Sequence, residues 1–484
     1  MLLLIASALL TSACDRRPDD APVVVSVIGN TPRLADPARR RMSESERVLT
    51  GAIAQGLVRF DGTGQVEPGL AERWIVIDNG MSYIFRLREA VWNDGKPVGA
   101  AQVVTILKRA VAANSRSPLA PYLTAIDEIV VMTPTVIEVR LKRPRPDLLK
   151  LFAQPELAIA RTSPPGGSGP FRLVQRARSG VLLRPADDLS LSDDDPARAL
   201  KPADEVQLIG ERASLAVARF AARKSDLVTG GTFLDRPLVS VAPIAPANFR
   251  VDPAVGLFGF AIVQRTGFLS DAENRAALAS AFDRPRIADT VLSGAAAVDT
   301  LLPDQLDSAM APTIPAWSGL ALADRRASAR QRVTSWRAGQ QPPSLRMAMP
   351  VGPGATLLWA EVAATLMDIG ITPVRVGPND RSADLRLIDR IAPYDSARWY
   401  LNTACAPCSD AATTVLEQAR VAGTLAERAR AVALADREIT ADTPFIILAR
   451  PLRWSLVALR LRGWQGNPRA WHPLNHLRND PDRP

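Results

Sequence analysis

Runs and alternations of apolar residues mark the strands of this chain. Residues 23–28 (Val-Val-Val-Ser-Val-Ile) form a nearly continuous apolar run, which predicts a strand buried on both faces. In residues 83–88, and again in residues 137–141, apolar and polar side chains alternate. A period of two places the apolar side chains on one face of a strand, so both segments are predicted to be half-exposed strands.

Apolar residues spaced three or four apart indicate helices between these strands. Two such helical faces are formed by Val103, Val104, Leu107 and Val111, and by Leu358, Val362, Leu366 and Ile369. We expect Gly370 to end the second helix. Ser270 with Glu273, and Thr424 with Glu427, have the spacing of capping boxes that begin further helices. Strands and helices therefore alternate along the chain, which predicts an α/β fold.

The first residues have the features of an export signal. Residues 2–13 form an apolar stretch that is too short to cross a membrane and that ends in small residues, which is typical of a secretory signal peptide. Residues 10–14 (Leu-Thr-Ser-Ala-Cys) resemble a bacterial lipobox, which implies that Cys14 is lipidated and holds the protein on a membrane. In enterobacterial-type lipoproteins, an aspartate such as Asp15 implies retention at the inner membrane. An ordinary signal peptide with an unmodified cysteine is the alternative.

Composition and charge narrow the possible partners. The length of 484 residues suggests about three compact units, and the hydrophobic fraction of 47% is enough to form their cores. Its formal net charge is +9, which could indicate a nucleic-acid partner. The basic residues are dispersed, however, and the densest runs, residues 39–41 and 142–145, are short. We interpret both runs as solvated, arginine-rich surface and expect no nucleic-acid partner.

Few residues could support catalysis or bind a metal. Cys405 and Cys408 have the spacing of a thiol–disulfide motif, but Pro407 lies between them, and in an exported protein we expect a loop-closing disulfide. A redox role and two free thiols are the alternatives. His472 and His476 fit no zinc-ligand spacing, and no nucleophile motif or phosphate-binding loop is present in the sequence. We therefore expect no catalysis, no metal and no cofactor.

Residues 56–104 carry a specific series of motifs. In order, these are Gly-Leu-Val at 56–58, Glu-Pro-Gly-Leu-Ala-Glu-Arg-Trp at 67–74, Tyr-Ile-Phe-Arg-Leu-Arg at 83–88, Trp-Asn-Asp-Gly-Lys-Pro at 92–97 and Ala-Gln-Val-Val at 101–104. The series resembles the signature of the family 5 extracellular solute-binding proteins, the oligopeptide- and dipeptide-binding group of ABC importers. Weaker similarity covers nearly all of the mature chain.

The resemblance implies a periplasmic-binding-protein-like fold of type II, with two lobes and an extra subdomain. Lobe I would consist of residues 15–45, 166–250 and 442–484, the extra subdomain of residues 46–165, and lobe II of residues 251–441. A peptide or related small solute would bind between the lobes, which would close by a hinge motion. The implied partners are an ABC permease and its ATPase. The protein would act as a monomer in the periplasm, anchored to the inner membrane.

The sequence departs from the peptide-binding members of the family in the region of the binding site. An ungapped match places Pro393 where these members have an aspartate for the ligand's α-amino group, and Arg390 where they have a tryptophan. The segment between Val376 and Leu385 is too short for the helix that usually supplies pocket residues. Arg390 could favour an acidic ligand; a surface or structural role is the alternative. The candidate ligand-binding residues are Arg390, Tyr394, Asp395, Trp399 and Met349.

Three functions follow from these observations. The leading hypothesis is a non-catalytic solute-binding lipoprotein of an ABC importer. The second is a sensory or scaffolding lipoprotein on the same fold, which the altered binding site motivates. The third is an enzyme, either a thiol oxidoreductase that uses Cys405 and Cys408 or a hydrolase. Tight binding of a small solute would support the first hypothesis.

Overall fold

The computed structural model describes residues 20–145, 147–162, 165–186, 201–304, 306–339, 341–405 and 407–478. The predicted signal peptide and Cys14 lie outside these residues. The strands are β1 (Val23–Ile28), β2 (Val58–Phe60), β3 (Val66–Pro68), β4 (Ala71–Ile77), β5 (Ser82–Leu87), β6 (Ile126–Thr133), β7 (Val136–Leu141), β8 (Ala160–Thr162), β9 (Pro165–Gly167), β10 (Phe171–Arg176), β11 (Gly180–Pro185), β12 (Val206–Glu211), β13 (Leu227–Thr232), β14 (Phe249–Val251), β15 (Gly256–Ile262), β16 (Ser344–Ala348), β17 (Thr372–Val376), β18 (Leu385–Ile391), β19 (Phe445–Ala449) and β20 (Arg453–Val457). The helices are α1 (Glu44–Ile53), α2 (Ala100–Val111), α3 (Leu148–Phe152), α4 (Ala213–Ala221), α5 (Arg236–Ser240), α6 (Ala272–Ser280), α7 (Arg284–Leu292), α8 (Leu322–Arg337), α9 (Pro353–Asp368), α10 (Ala397–Ala404), α11 (Asp410–Val421) and α12 (Leu425–Asp442).

The first lobe is built on a seven-stranded sheet in the order β10-β11-β12-β1-β13-β20-β14. β1 lies in the middle of this sheet and pairs in parallel with both β12 and β13. Residues 23–27 of β1 are all buried. This explains the continuous apolar run in the sequence, because a central parallel strand is covered on both faces. The predicted strand at residues 23–28 is confirmed.

The second lobe is built on a five-stranded sheet in the order β17-β16-β18-β15-β19. β15 pairs antiparallel with β18 and β19, and all seven of its residues are buried. The loop at residues 377–384 joins β17 to β18 without a helix, as the short spacing in the sequence predicted. β19 belongs to this sheet, so the chain returns to the first lobe only after Ala449, later than the predicted boundary at residue 442.

A four-stranded antiparallel sheet, in the order β4-β5-β7-β6, forms a separate subdomain between β3 and α3. Tyr83, Phe85 and Leu87 of β5 are buried, whereas Arg86 is exposed, so the predicted half-exposed strand is confirmed. Ile137, Val139 and Leu141 of β7 are likewise buried. α2 packs on β6 and β7 through the apolar face that the sequence predicted.

Two short connectors join the lobes. Residues 252–255 lead from β14 to β15, and residues 450–452 lead from β19 to β20. The two lobes are in direct contact. The rings of Phe233 in lobe I and Phe258 in lobe II pack edge to face, with 5.0 Å between their centroids. A Cβ atom at Gly354 would lie only 1.8 Å from the carbonyl oxygen of Phe233, so glycine is required at this close approach.

One predicted helix start is wrong by a residue. Asp271, not Ser270, is the N-cap of α6, and its carboxylate accepts a hydrogen bond of 2.8 Å from the backbone N–H of Glu273. The hydroxyl of Ser270 donates instead to the carbonyl of Gly267. Serine and aspartate cap equally well, so the sequence alone does not choose between adjacent residues. The capping box predicted at Thr424 is present at the start of α12.

Candidate ligand cleft between the two lobes

A cavity of about 330 Å³ lies where the two lobes and the subdomain meet. Lobe I contributes residues 229–232 and 453–455, and lobe II contributes residues 389–393. The subdomain adds Tyr122, and Gln154 follows α3. Because each wall belongs to a different part of the fold, the shape of the cavity depends on how the lobes are closed.

A bulge in the first sheet shapes one wall. The pairing of β13 with β20 shifts between Val228 and Gly231, so the backbone at residues 229–230 leaves the regular ladder. Gly230 has a φ of +82°, which favours glycine. A Cβ atom at Gly231 would lie 2.2 Å from the ring of Trp454. Gly231 therefore lets the indole of Trp454 pack closely against the cavity wall.

The acidic side chains that line the cavity are paired. Glu44 and Glu156 lie 3.6 Å and 3.2 Å from the guanidinium of Arg47. Asp389 accepts a hydrogen bond of 2.8 Å from Arg453. Burial raises the pKa of Asp389, and the charge of Arg453 opposes that rise.

Asp252, which also lines the cavity, completes this set. Its carboxylate accepts the backbone N–H of Asn467 at 3.0 Å and lies 3.2 Å from Nε2 of His472. No unpaired carboxylate therefore lines this cavity within the part of the chain that the structure describes.

Two arginines on opposite walls have no such partner. Arg41 precedes α1 in lobe I, and Arg390 lies on β18 in lobe II. Neither side chain makes a hydrogen bond or an ion pair with any residue in the described ranges. Burial lowers the pKa of Arg41, and the charges of Arg390 and Arg47 lower it further. The uncompensated charge of the cavity is therefore positive.

Asp395 is held by cations of the first lobe and of the subdomain side. Its carboxylate accepts hydrogen bonds from Arg469 and from Lys150 of α3. Burial would raise the pKa of Asp395, but Arg469 and Lys150 outweigh burial and hold it below its usual range. The carbonyl of Pro393 accepts a hydrogen bond of 2.5 Å from Gln154. The segment that contains the family's aspartate position therefore ties the lobes together.

The sequence model of the bacterial extracellular solute-binding proteins, family 5 Middle, matches residues 65–373, which is more than half of the chain. The chain belongs to this family. The resemblance predicted from residues 56–104 is thereby confirmed, and so is the two-lobed fold that it implied.

Solved structures share this family 5 fold. The murein tripeptide-binding protein MppA of Escherichia coli superimposes with a TM-score of 0.78 at 18% identity, covering 93% of this chain and 97% of that chain. OppA of Haemophilus influenzae, in complex with the peptide RPPGFSPFR, gives a TM-score of 0.76 at 17% identity over 94% of this chain and 98% of that chain.

Curated relatives match shorter parts of this family 5 chain. The probable deoxycholate-binding periplasmic protein YgiS of Escherichia coli K12 is 40% identical over 93 residues, which is 19% of this chain and 17% of that protein. The glutathione-binding protein GsiB of the same strain is 28% identical over 183 residues, which is 35% of this chain and 34% of that protein. The matched segments thus span about a third or less of these relatives.

The predicted ligand-binding residues of this family 5 member have different environments. Arg390 and Trp399 line the cavity. Tyr394 is 2% exposed and packs edge to face, at 5.6 Å, on Tyr122, which does line it. Asp395 is engaged in the ion pairs described above. Met349 is 1% exposed and lies in the hydrophobic core of the second lobe, away from the cavity.

Several residues at the cavity were not among those predicted. Arg41 belongs to the basic run at residues 39–41, which is exposed as we interpreted it, and its side chain also lines the cavity. Arg469, Trp454 and Trp471 also line it. These three lie far from residues 389–399 in sequence and carry no motif, so only the tertiary fold brings them together.

The structure joins Cys405 to Cys408 by a disulfide between α10 and α11. Neither cysteine lines the cavity. Among the described residues, no group of three or more histidine, cysteine, aspartate or glutamate side chains could hold a metal ion. A search of the same residues finds no helix with the length and apolar character needed to cross a membrane.

Proposed function

We propose that this protein captures a small solute between its lobes and delivers it to the permease of an ABC importer. The observation that carries the proposal is the cavity of about 330 Å³ between two lobes joined by two short connectors. Its size is at the lower end of small-molecule sites, which are about 300–1,000 Å³. A separate ATPase would drive transport, and the protein itself would be a non-catalytic monomer.

The cavity favours a solute with an acidic group. Among the described residues that line the cavity, Arg41 and Arg390 are the cations without a partner, and a guanidinium binds a carboxylate through two parallel hydrogen bonds. Trp399, Trp454 and Trp471 add flat apolar surface beside them. A peptide with a free α-amino group is less favoured, because the carboxylate of Asp395 is already shared by two cations and a buried ammonium needs a countercharge.

The proposed location is the periplasmic side of the inner membrane. It depends on the signal peptide and on lipidation of Cys14, followed by Asp15. Labelling cells with a radioactive or clickable fatty acid tests this directly. We expect the chain to be labelled and membrane-bound, and a Cys14→Ala variant to be unlabelled. Label on the Cys14→Ala variant, or none on the parent, would contradict lipidation at this residue.

Solute binding is tested on the chain from residue 15 onward, which keeps every described element. Mass spectrometry identifies small molecules that co-purify, and thermal unfolding ranks pools of carboxylates, opines, peptides, amino sugars and metal chelates. A solute at 100 times its Kd adds about 2.7 kcal/mol to the free energy of unfolding.

We expect carboxylates to bind most tightly, and Arg390→Leu to weaken them while Arg250→Leu does not. Arg250 is an exposed arginine on β14, outside the cavity, and serves as the matched control. If no solute of any class raises the melting temperature, the proposed function is wrong.

A further inference from the structure

Three arginines, two of them buried and the third partly buried, lie where the subdomain meets the second lobe. Arg143 and Arg145 follow β7, and Arg398 lies on α10. Arg145 is 4% exposed and Arg398 is 6% exposed. Six of their nitrogen atoms are buried without a hydrogen-bond partner: Nε and Nη2 of Arg143, Nε and Nη2 of Arg145, and Nε and Nη1 of Arg398. Of the basic run at residues 142–145, interpreted from the sequence as solvated, Lys142 is exposed, Arg143 is partly buried and Arg145 is buried.

The neighbouring carboxylates are already used. Asp307 accepts hydrogen bonds of 3.0 Å and 2.8 Å from Arg428, and Glu417 is paired with Arg420. No carboxylate of the described ranges forms an ion pair with Arg143, Arg145 or Arg398. Positive charge thus exceeds negative charge at a place from which bulk water is largely excluded.

Burial and mutual repulsion act together on these groups. Burial, and after it the charge of Arg428, lowers the pKa of Arg145 to about 10. Burial also lowers the pKa values of Arg143 and Arg398, and other arginines lower them further. At neutral pH all three remain charged. Burying a charge is costly unless the charge is paired. The cluster therefore needs a negatively charged partner that the neighbouring side chains do not supply.

We propose that Arg143, Arg145 and Arg398 bind one oxyanion between the subdomain and the second lobe. Planar guanidinium groups match the spacing of two oxygens in a carboxylate, sulfate or phosphate, which explains arginine rather than lysine at these positions. Because the three side chains come from both sides of the cleft, the anion binds the closed form and is released when the lobes separate. It therefore favours closure.

Two sources can supply this oxyanion. One is a free inorganic anion. The other is the acidic group of the captured solute, since Tyr122 lines the cavity and packs on Tyr394, which lies four residues before Arg398. The second source rests on the proposed function; the first does not, because none of the three arginines lines the cavity.

The test uses thermal unfolding of the chain from residue 15 onward in sulfate, phosphate and acetate, compared with chloride at equal ionic strength. The variants are Arg145→Met and Arg398→Met, with Arg250→Met as the control. We expect a saturable rise in melting temperature with sulfate or phosphate in the parent and in Arg250→Met. In the two cluster variants the apparent Kd for the anion should rise at least about tenfold.

A second readout separates binding from a merely structural role. In chloride alone, Arg398→Met should raise the melting temperature, because it removes an uncompensated buried charge. A lower melting temperature in every salt, with an unchanged response to sulfate, would show that the arginine only supports the fold and would overturn the proposal. Should Arg398→Met fold poorly, Arg143→Met replaces it, because Arg143 is the less buried member.

The source of the anion follows from the same experiment. If inorganic oxyanions have no effect but an acidic solute stabilises the parent, and Arg398→Met loses that effect, then the solute supplies the group. Another outcome is that solutes bind normally to Arg398→Met and that the substitution leaves the effect of every inorganic anion on the melting temperature unchanged. In that case water fills the site and the inference is wrong, while solute capture stands. If no solute binds but the anion response is present, the proposed function fails alone.

Discussion

The contact between Asp395 and its two cations predicts how strongly the lobes are held closed. Asp395 lies in the second lobe, whereas Arg469 and Lys150 lie across the cleft. We expect Asp395→Asn to weaken closure rather than to unfold either lobe, because all three side chains regain water when the lobes separate. The relevant quantity is therefore the free energy of closing.

The magnitude follows from the exposure of each partner. Arg469 is 5% exposed, so it loses a charged hydrogen-bond partner in a nearly dry place, which costs about 1.5–3 kcal/mol. Asp395 itself is 40% exposed, so solvent screening reduces this to about 1–2 kcal/mol. Solute affinity should then fall by at most roughly 5- to 30-fold, because it falls in proportion to the fraction of closed protein. For Lys150→Met we expect less than about 1 kcal/mol, because Lys150 is 25% exposed.

Two measurements check this prediction: small-angle scattering of the solute-free protein and calorimetric titration with the solute. The radius of gyration should increase in Asp395→Asn and, by less, in Lys150→Met, and both variants should bind more weakly. Asp127→Asn, at an exposed carboxylate of the subdomain, is the control. The reasoning would be refuted if Lys150→Met bound the solute as tightly as the parent, or tighter, and only Asp395→Asn lost binding. Asp395 would then hold the solute directly.

Three further predictions concern stability. Asp226→Asn should lower the free energy of unfolding by about 1.5–3 kcal/mol in denaturant titrations, because the nearly buried guanidinium of Arg460 would lose its charged hydrogen-bond partner at 2.7 Å. Burial raises the pKa of Asp147 to about 6, whereas an aspartate of the unfolded chain has a pKa of about 3.9. Between these values the folded protein binds a proton that the unfolded chain has lost, so the free energy of unfolding should fall as pH rises from about 4 to 6. Asp147→Asn should make this fall with pH less steep. Gly259→Ala should lower the yield of folded protein, because its Cβ atom would lie 2.1 Å from the carbonyl oxygen of Ile446.

Matched substitutions serve as controls for these predictions. Asp127→Asn removes an exposed carboxylate and should change neither the unfolding free energy nor its pH dependence appreciably. Gly319→Ala adds a Cβ atom with no other atom within 4 Å and should express normally. Equal effects of Asp226→Asn and Asp127→Asn would contradict the role of burial, and a pH slope unchanged by Asp147→Asn would assign the titration to another group.

Local sequence patterns were sufficient for much of the fold. The apolar run at residues 23–28 identified a central strand because only such a strand is covered on both faces. Alternation identified β5 and β7 because their sheet has one solvated face. The short spacing between Val376 and Leu385 correctly excluded a helix. In each case the property depends on neighbours close in the sequence.

The cleft could be predicted only in part. Arg390 and Trp399 were identified because they lie near a motif position of the family. Arg145 was misread as solvated, since a basic run looks the same in sequence whether its side chains point to water or into the interior. Arg41 is exposed, as interpreted, but the sequence does not show that it also lines the cavity. The pairing of Asp395 with Arg469 joins residues 74 positions apart, and no local pattern records such a distance.

The place of β20 in the first sheet has a consequence for the order of folding. β20 lies between β13 and β14, so a strand from the end of the chain completes a sheet that begins with Val23. Until β20 emerges, β13 has an open edge and β14 has no partner in this sheet. Contacts so distant in sequence form slowly. Loss of the residues from β20 onward would therefore leave the first sheet incomplete, with an unpaired edge on β13 that is prone to aggregation.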